Sequence, residues 1–305
     1  MAKNNKLFPS LDEMPSNLNS LLKWGEGQLT AAGIDSYRLD AKILLTAFLS
    51  VDDVLIYSRP DFAVSPEDIL SYREAIARRS RREPLAYIIG KKEFWNHPLT
   101  VNRHTLIPRP ETEILVETAL GYISSMNGNI KLLDIGTGSG NIPISLASEI
   151  PSLHCTAVDI SAEALETARF NSKALNLEGR ISFLKADLRN LPFSNLENGG
   201  LFDIIVSNPP YIRSADIGAL MPEVALFEPR LALDGGADGL VSYRQIIEGC
   251  QAILRPEGVL IMETGMGQAM DIIGFINSLA IFGEAEIIND LAGIERVVAV
   301  KRLPA

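Results

Sequence analysis

From residue 130 to the C-terminus, short apolar runs alternate with longer stretches of helical spacing, and this limits the fold more than any other feature. KLLDI, HCTAVDI, RISFLKADL, FDIIVS and GVLIMET read as strands. IPISLASEI, SAEALETARFNSKALN, YRQIIEGCQAIL and DIIGFINSLA read as helices between them. Strands that alternate with helices build an open, mostly parallel sheet. FDIIVS is apolar along nearly its whole length, as a strand covered on both faces must be. AEIINDLAGIERVVAVKR supplies two closing strands. The expected fold class is α/β, with a seven-stranded, mostly parallel, Rossmann-like sheet.

The first third reads differently. In NLNSLLKWGEGQLTAAG, Leu18, Leu21, Leu22, Gly25 and Leu29 share one helical face. A second helix follows in SYRLDAKILLTAFLS. A third starts at SPEDILSYREAIARRSRR, where Ser65 can cap and Pro66 suits the first helical position. Residues 17–90 are therefore expected to form a small helical domain, after a frayed N-terminus over 1–16. Its Arg78, Arg79, Arg81 and Arg82 read most simply as a solvated helix end, with a patch for an acidic partner as the sharper alternative. KKEFWNHPLTVNRHTLI predicts a β-hairpin linker over 91–107, and 108–305 forms the sheet domain.

Composition excludes several classes. The net charge of −10 argues against a surface built to coat nucleic acid. Residues 1–107 hold 14 basic and 13 acidic side chains, so the acidity sits in the sheet domain. Cys155 and Cys250 lie in apolar elements and read as buried thiols. The three histidines form no ligand spacing, so no metal site is expected. No apolar run reaches the ~18 residues of a membrane span. A cytoplasmic protein follows.

The first strand of the sheet domain runs into LLDIGTGSGNIPISLA. Gly136, Gly138 and Gly140 stand between strand and helix, where backbone can approach a ligand closely. Asn141 replaces the last glycine of the dinucleotide fingerprint, no Walker lysine follows, and residues 132–148 hold no Lys or Arg. The ligand need not carry phosphate. Asp159 ends the second strand, 19 residues after Gly140, where an acid can accept from ribose hydroxyls. Asp187 ends the third. A nucleoside ligand without phosphates is best matched by S-adenosylmethionine.

FDIIVS stops at Asn208, Pro209, Pro210 and Tyr211. Prolines donate no N–H, but their carbonyls still accept. The loop presents the Asn208 side-chain oxygen and the Pro209 carbonyl, two acceptors that suit the two hydrogens of a planar NH2 group. An amide or aromatic amine has a delocalised lone pair and is a poor nucleophile. Fixing both N–H bonds aims that lone pair at a sulfonium methyl. Tyr211 can offer a π face to the NH2-bearing group. Two acceptors remain open at this point: an exocyclic amine on a nucleic-acid base, as for an N6-adenine methyltransferase, or a protein carboxamide. A non-catalytic module that binds cofactor to support a partner is a third class.

EFWNHPLTV, LIPRPETEILVE, LLDIGTGSGNI, AVDIS, SNPPYI, FEPRLALDGGADGL with YRQII, and DLAGIERVV occur in that order between residues 93 and 298, within a resemblance that covers about residues 17–303. On these motifs the chain resembles the release-factor glutamine methyltransferases (the HemK/PrmC family). Asn96-His97 and Ile294-Glu295 depart from the common pattern, at positions outside the cofactor motifs. The resemblance implies methyl transfer from S-adenosylmethionine, leaving S-adenosylhomocysteine, to the side-chain N5 of the glutamine in the GGQ loop of peptide chain release factors. It implies that Gly136, Thr137, Gly138, Ser139, Gly140, Asp159, Asp187, Leu188 and Asn208 contact the cofactor. Asn208, Pro209, Pro210 and Tyr211 would hold the glutamine, with Asn208, Pro209 and Tyr211 acting in catalysis. Arg109 and Glu111 are expected to wall the substrate pocket, a structural salt bridge being an equal reading for Arg109. The helical domain would dock the release factor. A monomer without membrane or nucleic-acid partners is expected.

Overall fold

The computed structural model describes residues 11–126, 128–187 and 201–304. The chain divides into two compact units: Met1–Gly90 with Pro222–Phe227, and Lys91–Met221 with Glu228–Ala305.

The first unit holds α1 (Leu18–Ala31), α2 (Tyr37–Leu49), α3 (Asp53–Ser58), α4 (Pro66–Ser80) and α5 (Leu85–Ile89). Asn17 caps α1 by accepting from the Ser20 N–H at 3.0 Å, and Ser65 caps α4 at 3.1 Å. Leu18, Leu21, Leu44, Leu45, Tyr72 and Ile76 form its core. Residues 11–16, expected to be frayed, carry a 3-10 turn at Leu11–Glu13 and bury Met14, because Met14 packs into that core. The arginine cluster is not a solvated helix end. Arg79 is buried between Asp40 at 2.7 Å and Glu223 at 2.9 Å. Arg82 reaches Glu223 at 3.3 Å and donates to the Gly33 carbonyl. Arg78 pairs with Glu83 at 2.6 Å. Glu223 comes from the short segment 222–227, which no sequence signal tied to this unit.

The second unit opens with the hairpin β1 (Lys91–Phe94) and β2 (His97–Thr100). Trp95 and Asn96 turn it with φ of 49° and 60°, a two-residue turn with both central residues left-handed. Then come α6 (Thr112–Ile123), β3 (Lys131–Ile135), α7 (Asn141–Glu149), β4 (His154–Asp159), α8 (Ala162–Ala174), β5 (Ile181–Lys185) and β6 (Phe202–Ser207). After α9 (Pro222–Phe227), which groups with the helical unit, follow α10 (Val241–Ile253), β7 (Leu254–Glu263), α11 (Ala269–Asn277), β8 (Phe282–Asn289) and β9 (Glu295–Arg302).

The seven-stranded sheet runs β5-β4-β3-β6-β7-β9-β8, parallel except at β9. The period of two along its strands separates two cores. Leu132, Ile204, Val206, Val259, Ile261 and Val297 face one side. Leu133, Ile135, Ile205, Leu260, Met262 and Val298 face the other, with α10 and α11. Every residue of β6 is buried, as its apolar run predicts. The strand order reverses direction between β3 and β6, so a crevice opens at the carboxyl ends of these two central strands.

Candidate active site

β3 and β6 end beside each other at that crevice. The Gly136 and Thr137 N–H groups both donate to the Val158 carbonyl, at 2.9 and 3.0 Å, and fold the glycine loop over the end of β4. Gly136, Gly138 and Gly140 have φ of 78°, 55° and 82°, values that strain a side chain. Asp159 closes the loop. Its Oδ2 accepts from the Gly138 N–H at 2.8 Å and its Oδ1 from the Ser161 N–H at 2.9 Å. Burial raises the Asp159 carboxyl above its ordinary range, and these N–H groups oppose the rise. Each oxygen keeps acceptor capacity for a hydroxyl. Asn171, buried on α8, accepts from the Thr100 N–H and donates to the Thr100 and Ser139 carbonyls, both at 2.9 Å. It ties the hairpin to the loop. Asp187 is partly buried just beyond β5; Leu188 lies outside the described residues.

Asp134, inside β3, is fully buried. Burial pushes its carboxyl up to about 7, the Asp159 charge adding to the rise and the Thr137 hydroxyl opposing it. Neither oxygen has a hydrogen bond of ordinary geometry among the described residues, and the Ser139 hydroxyl also lacks one. The wall beneath the glycine loop thus holds buried polar atoms with capacity to spare.

The Asn-Pro-Pro-Tyr loop lies next door. A Cβ placed on Gly136 would come within 3.9 Å of the Asn208 carbonyl oxygen. Ser207 Oγ donates to the Ile135 carbonyl at 2.7 Å and locks the two strand ends together. Asn208 is held from α6: its Nδ2 donates to Thr112 Oγ1 at 3.1 Å, and Thr112 Oγ1 donates to Glu263 Oε2 at 2.6 Å. No described residue donates to Asn208 Oδ1 or to the Pro209 carbonyl.

Beneath the loop runs Asp234–Gly239. The Ile212 N–H donates to the Leu233 carbonyl and the Gly235 N–H returns to Ile212. A side chain on Gly235 would meet the Pro210 carbonyl and Tyr211 Cα at 2.8 Å, and one on Gly239 would meet the Tyr211 carbonyl at 2.5 Å. Gln268 Nε2 donates to that same Tyr211 carbonyl at 3.1 Å. Burial pushes the Tyr211 hydroxyl up to about 12; Glu263 and Glu111 add to the rise, while Arg109 and Arg296 oppose it. Arg109 pairs with the buried Glu228, whose other oxygen accepts from the Ile107 N–H at 3.2 Å. Glu111 stands 3.7 Å from Arg296, half exposed.

A family model described as the PrmC N-terminal domain matches residues 20–90, and one described as a methyltransferase domain matches 126–277. A release factor glutamine methyltransferase of Rhodospirillum rubrum is 41% identical over 94% of this chain and 86% of its own length. One from Nitratidesulfovibrio vulgaris is 40% identical over 94% and 96%.

The chain belongs to the release factor glutamine methyltransferase family.

The hMettl16 catalytic domain, solved with an RNA hairpin, shares the fold, with a TM-score of 0.53 at 16% identity over 74% of this chain and 81% of that one. As a family member the chain is a methyltransferase whose cofactor is S-adenosylmethionine. Its glycine loop fits that cofactor: it carries no basic side chain, and its buried oxygens stand ready to accept.

Sequence reading brought Asn208, Pro209, Gly136 to Gly140 and Asp159 to one crevice, and the structure assembles them there. It did not single out Thr112, Glu263, Gln268, Gly235, Gly239, Asn171 or Glu228 for any role. The available signals were acids at the ends of apolar runs and the paired glycines of DGGADG. Among the described residues no helix is long and apolar enough to cross a membrane.

Proposed function

We propose that this enzyme methylates the side-chain N5 of the glutamine in the GGQ loop of a peptide chain release factor. The observation that carries this reading is the pinned Asn208 amide. Its nitrogen is committed to Thr112, so its oxygen and the adjoining Pro209 carbonyl form two open acceptors beside the glycine loop.

Those two oxygens accept the two N–H bonds of the substrate carboxamide and turn its nitrogen lone pair toward the cofactor side. Tyr211, fixed through its own carbonyl by Gln268, packs against the amide-bearing chain. Gly136, Thr137, Gly138, Ser139 and Gly140 would hold S-adenosylmethionine, with Asp159 on its ribose and Asp187 toward its base. When bound, the cofactor supplies an electrophilic sulfonium methyl. Transfer of that methyl would exchange a carbon–sulfur bond, whose electron pair stays with the leaving thioether, for a nitrogen–carbon bond on the held amide, and the methylated nitrogen would lose its proton to solvent. Asn208 and Pro209 oxygens stabilise the positive charge that develops on nitrogen. No strong base is required before transfer. Arg109 acts here as a strut for the wall, through Glu228, and Glu111 lines that wall. The helical unit docks the release factor, and the enzyme works as a cytoplasmic monomer.

Mass spectrometry of a release factor after reaction tests this. One added methyl, confined to the loop glutamine, is expected, with none on duplex DNA offered in parallel. Methylated adenine, or a methyl elsewhere on the release factor, would overturn it.

A further inference from the structure

We infer that Thr112 and Glu263 are positioning residues that set the direction of the Asn208 amide, through a hydrogen-bond relay running from Asn208 to Thr112 to Glu263. This rests on the reading of Asn208 as the substrate acceptor. An asparagine side chain is nearly symmetric in shape and could present either end to the crevice. Its direction must therefore be set by its partners: the Glu263 carboxylate, which the amide also faces, and Thr112, whose hydroxyl can either donate or accept. Thr112 is fully buried and its hydrogen is spent on Glu263 at 2.6 Å. Its oxygen can then only accept, so the NH2 end of Asn208 must face it, at 3.1 Å. The Oδ1 end is left for the substrate. A reversed amide would place Oδ1 against an oxygen whose hydrogen is used, and would face the substrate's N–H bonds with N–H bonds.

Glu263 has the surroundings such a role needs. It ends β7, is nearly fully buried, and its backbone carbonyl accepts from the Tyr243 hydroxyl at 2.9 Å, which fixes the chain there. The groups that face it are Glu111 and Thr112 from the start of α6, Asn208 and Tyr211 from the acceptor loop, Tyr243 from α10 and Arg296 from β9. Burial pushes its carboxyl up to about 7, Glu111 adding to the rise, while Thr112, Arg296 and Asn208 oppose it. Above that pH the ionised carboxylate can only accept, and the relay has one direction. Below it, a protonated carboxyl can donate to Thr112, freeing the Thr112 hydrogen for Asn208 Oδ1 and blunting the acceptor. Transfer should therefore fall on the acid side of neutrality.

The test compares Thr112→Val, Thr112→Ser and Glu263→Gln in the full enzyme, with release factor and S-adenosylmethionine. Thr112→Val removes the hydroxyl at nearly constant shape and should lower kcat by about 10- to 100-fold, with the KM for S-adenosylmethionine unchanged. Thr112→Ser keeps the hydroxyl and should restore kcat to within about threefold of the native enzyme. Glu263→Gln should remove the fall in kcat near pH 7. A Thr112→Val enzyme with native kcat, or a Glu263→Gln enzyme with the native acid limb, would overturn the relay. If Thr112→Val does not fold, the Glu263→Gln profile decides alone. Asn208→Ala separates the two claims: if it stays active, the acceptor reading itself fails. If it is inactive while Thr112→Val is fully active, only the relay fails.

Discussion

The glycine loop and the Asn-Pro-Pro-Tyr loop leave neighbouring strands at one sheet edge, yet they are built from different materials. The glycine loop is held by backbone: N–H groups of residues 136–138 on Val158 and Asp159. Its shape depends on the absence of side chains. The acceptor loop is held by side chains from distant parts of the chain: Thr112 and Glu263 on Asn208, and Gln268 on Tyr211. Its function depends on which atom of each side chain points inward. On the function proposed above, the first design binds and the second orients. Disturbing them should therefore give separable defects.

The largest effect is expected at Gly140. Its φ of 82° is left-handed, and Ala168 and Ile144 would stand 3.1 Å from any added Cβ, a tight contact they must yield to. Gly140→Val combines left-handed strain with overpacking, about 2–4 kcal/mol. Denaturant unfolding should show that loss, and calorimetry a collapse of S-adenosylmethionine binding. Native cofactor affinity in that variant would mean that the two loops do not differ in this way. Arg109→Ala comes next. It strips the buried Glu228 of its ion pair, and because Arg109 is one-third exposed the expected loss is about 2 kcal/mol. Denaturant unfolding should show that loss, while calorimetry finds the affinity for S-adenosylmethionine unchanged.

Asp134 gives a smaller effect with a clear sign. Its folded pKa of about 7 lies above the ordinary 3.8, so the folded state binds the proton more tightly than the unfolded chain. Stability from this group is complete below about pH 4 and is lost as pH rises through 7. Asp134→Asn should thus be more stable than the native chain at pH 8 in the cofactor-free enzyme and equal to it at pH 4. A gain at pH 4 alone would reverse the assignment. The smallest effect belongs to Arg213→Ala, which breaks an exposed pair with Asp216. A change under about 0.5 kcal/mol is expected in thermal melts, with transfer unaltered.

The same contrast explains what was legible in the sequence. The glycine loop is local. Strand, turn and helix follow within a few residues, and periodicity marks each of them. Asn208 was legible because two prolines stop a buried strand. Its supports were not. Thr112 meets Glu263 across 151 residues, and Arg109 meets Glu228 across 119. An acid at the end of an apolar run can be seen locally, but no local pattern pairs it with so distant a partner. Arg79 of α4 was misread for the same reason, since Glu223, its partner, lies 144 residues away. Asp134 stood in plain view as an acid within an apolar strand, but burial on both faces is a property of the whole sheet.

The central claim is that one loop orients the acceptor while the other holds the cofactor. Asn208→Ala tests it most directly, with the single-turnover rate on a release factor measured beside calorimetric affinity for S-adenosylmethionine. Transfer should slow by about 100-fold or more, with cofactor affinity within a few-fold of native. A near-native rate, or a loss of rate matched by an equal loss of cofactor affinity, would contradict it.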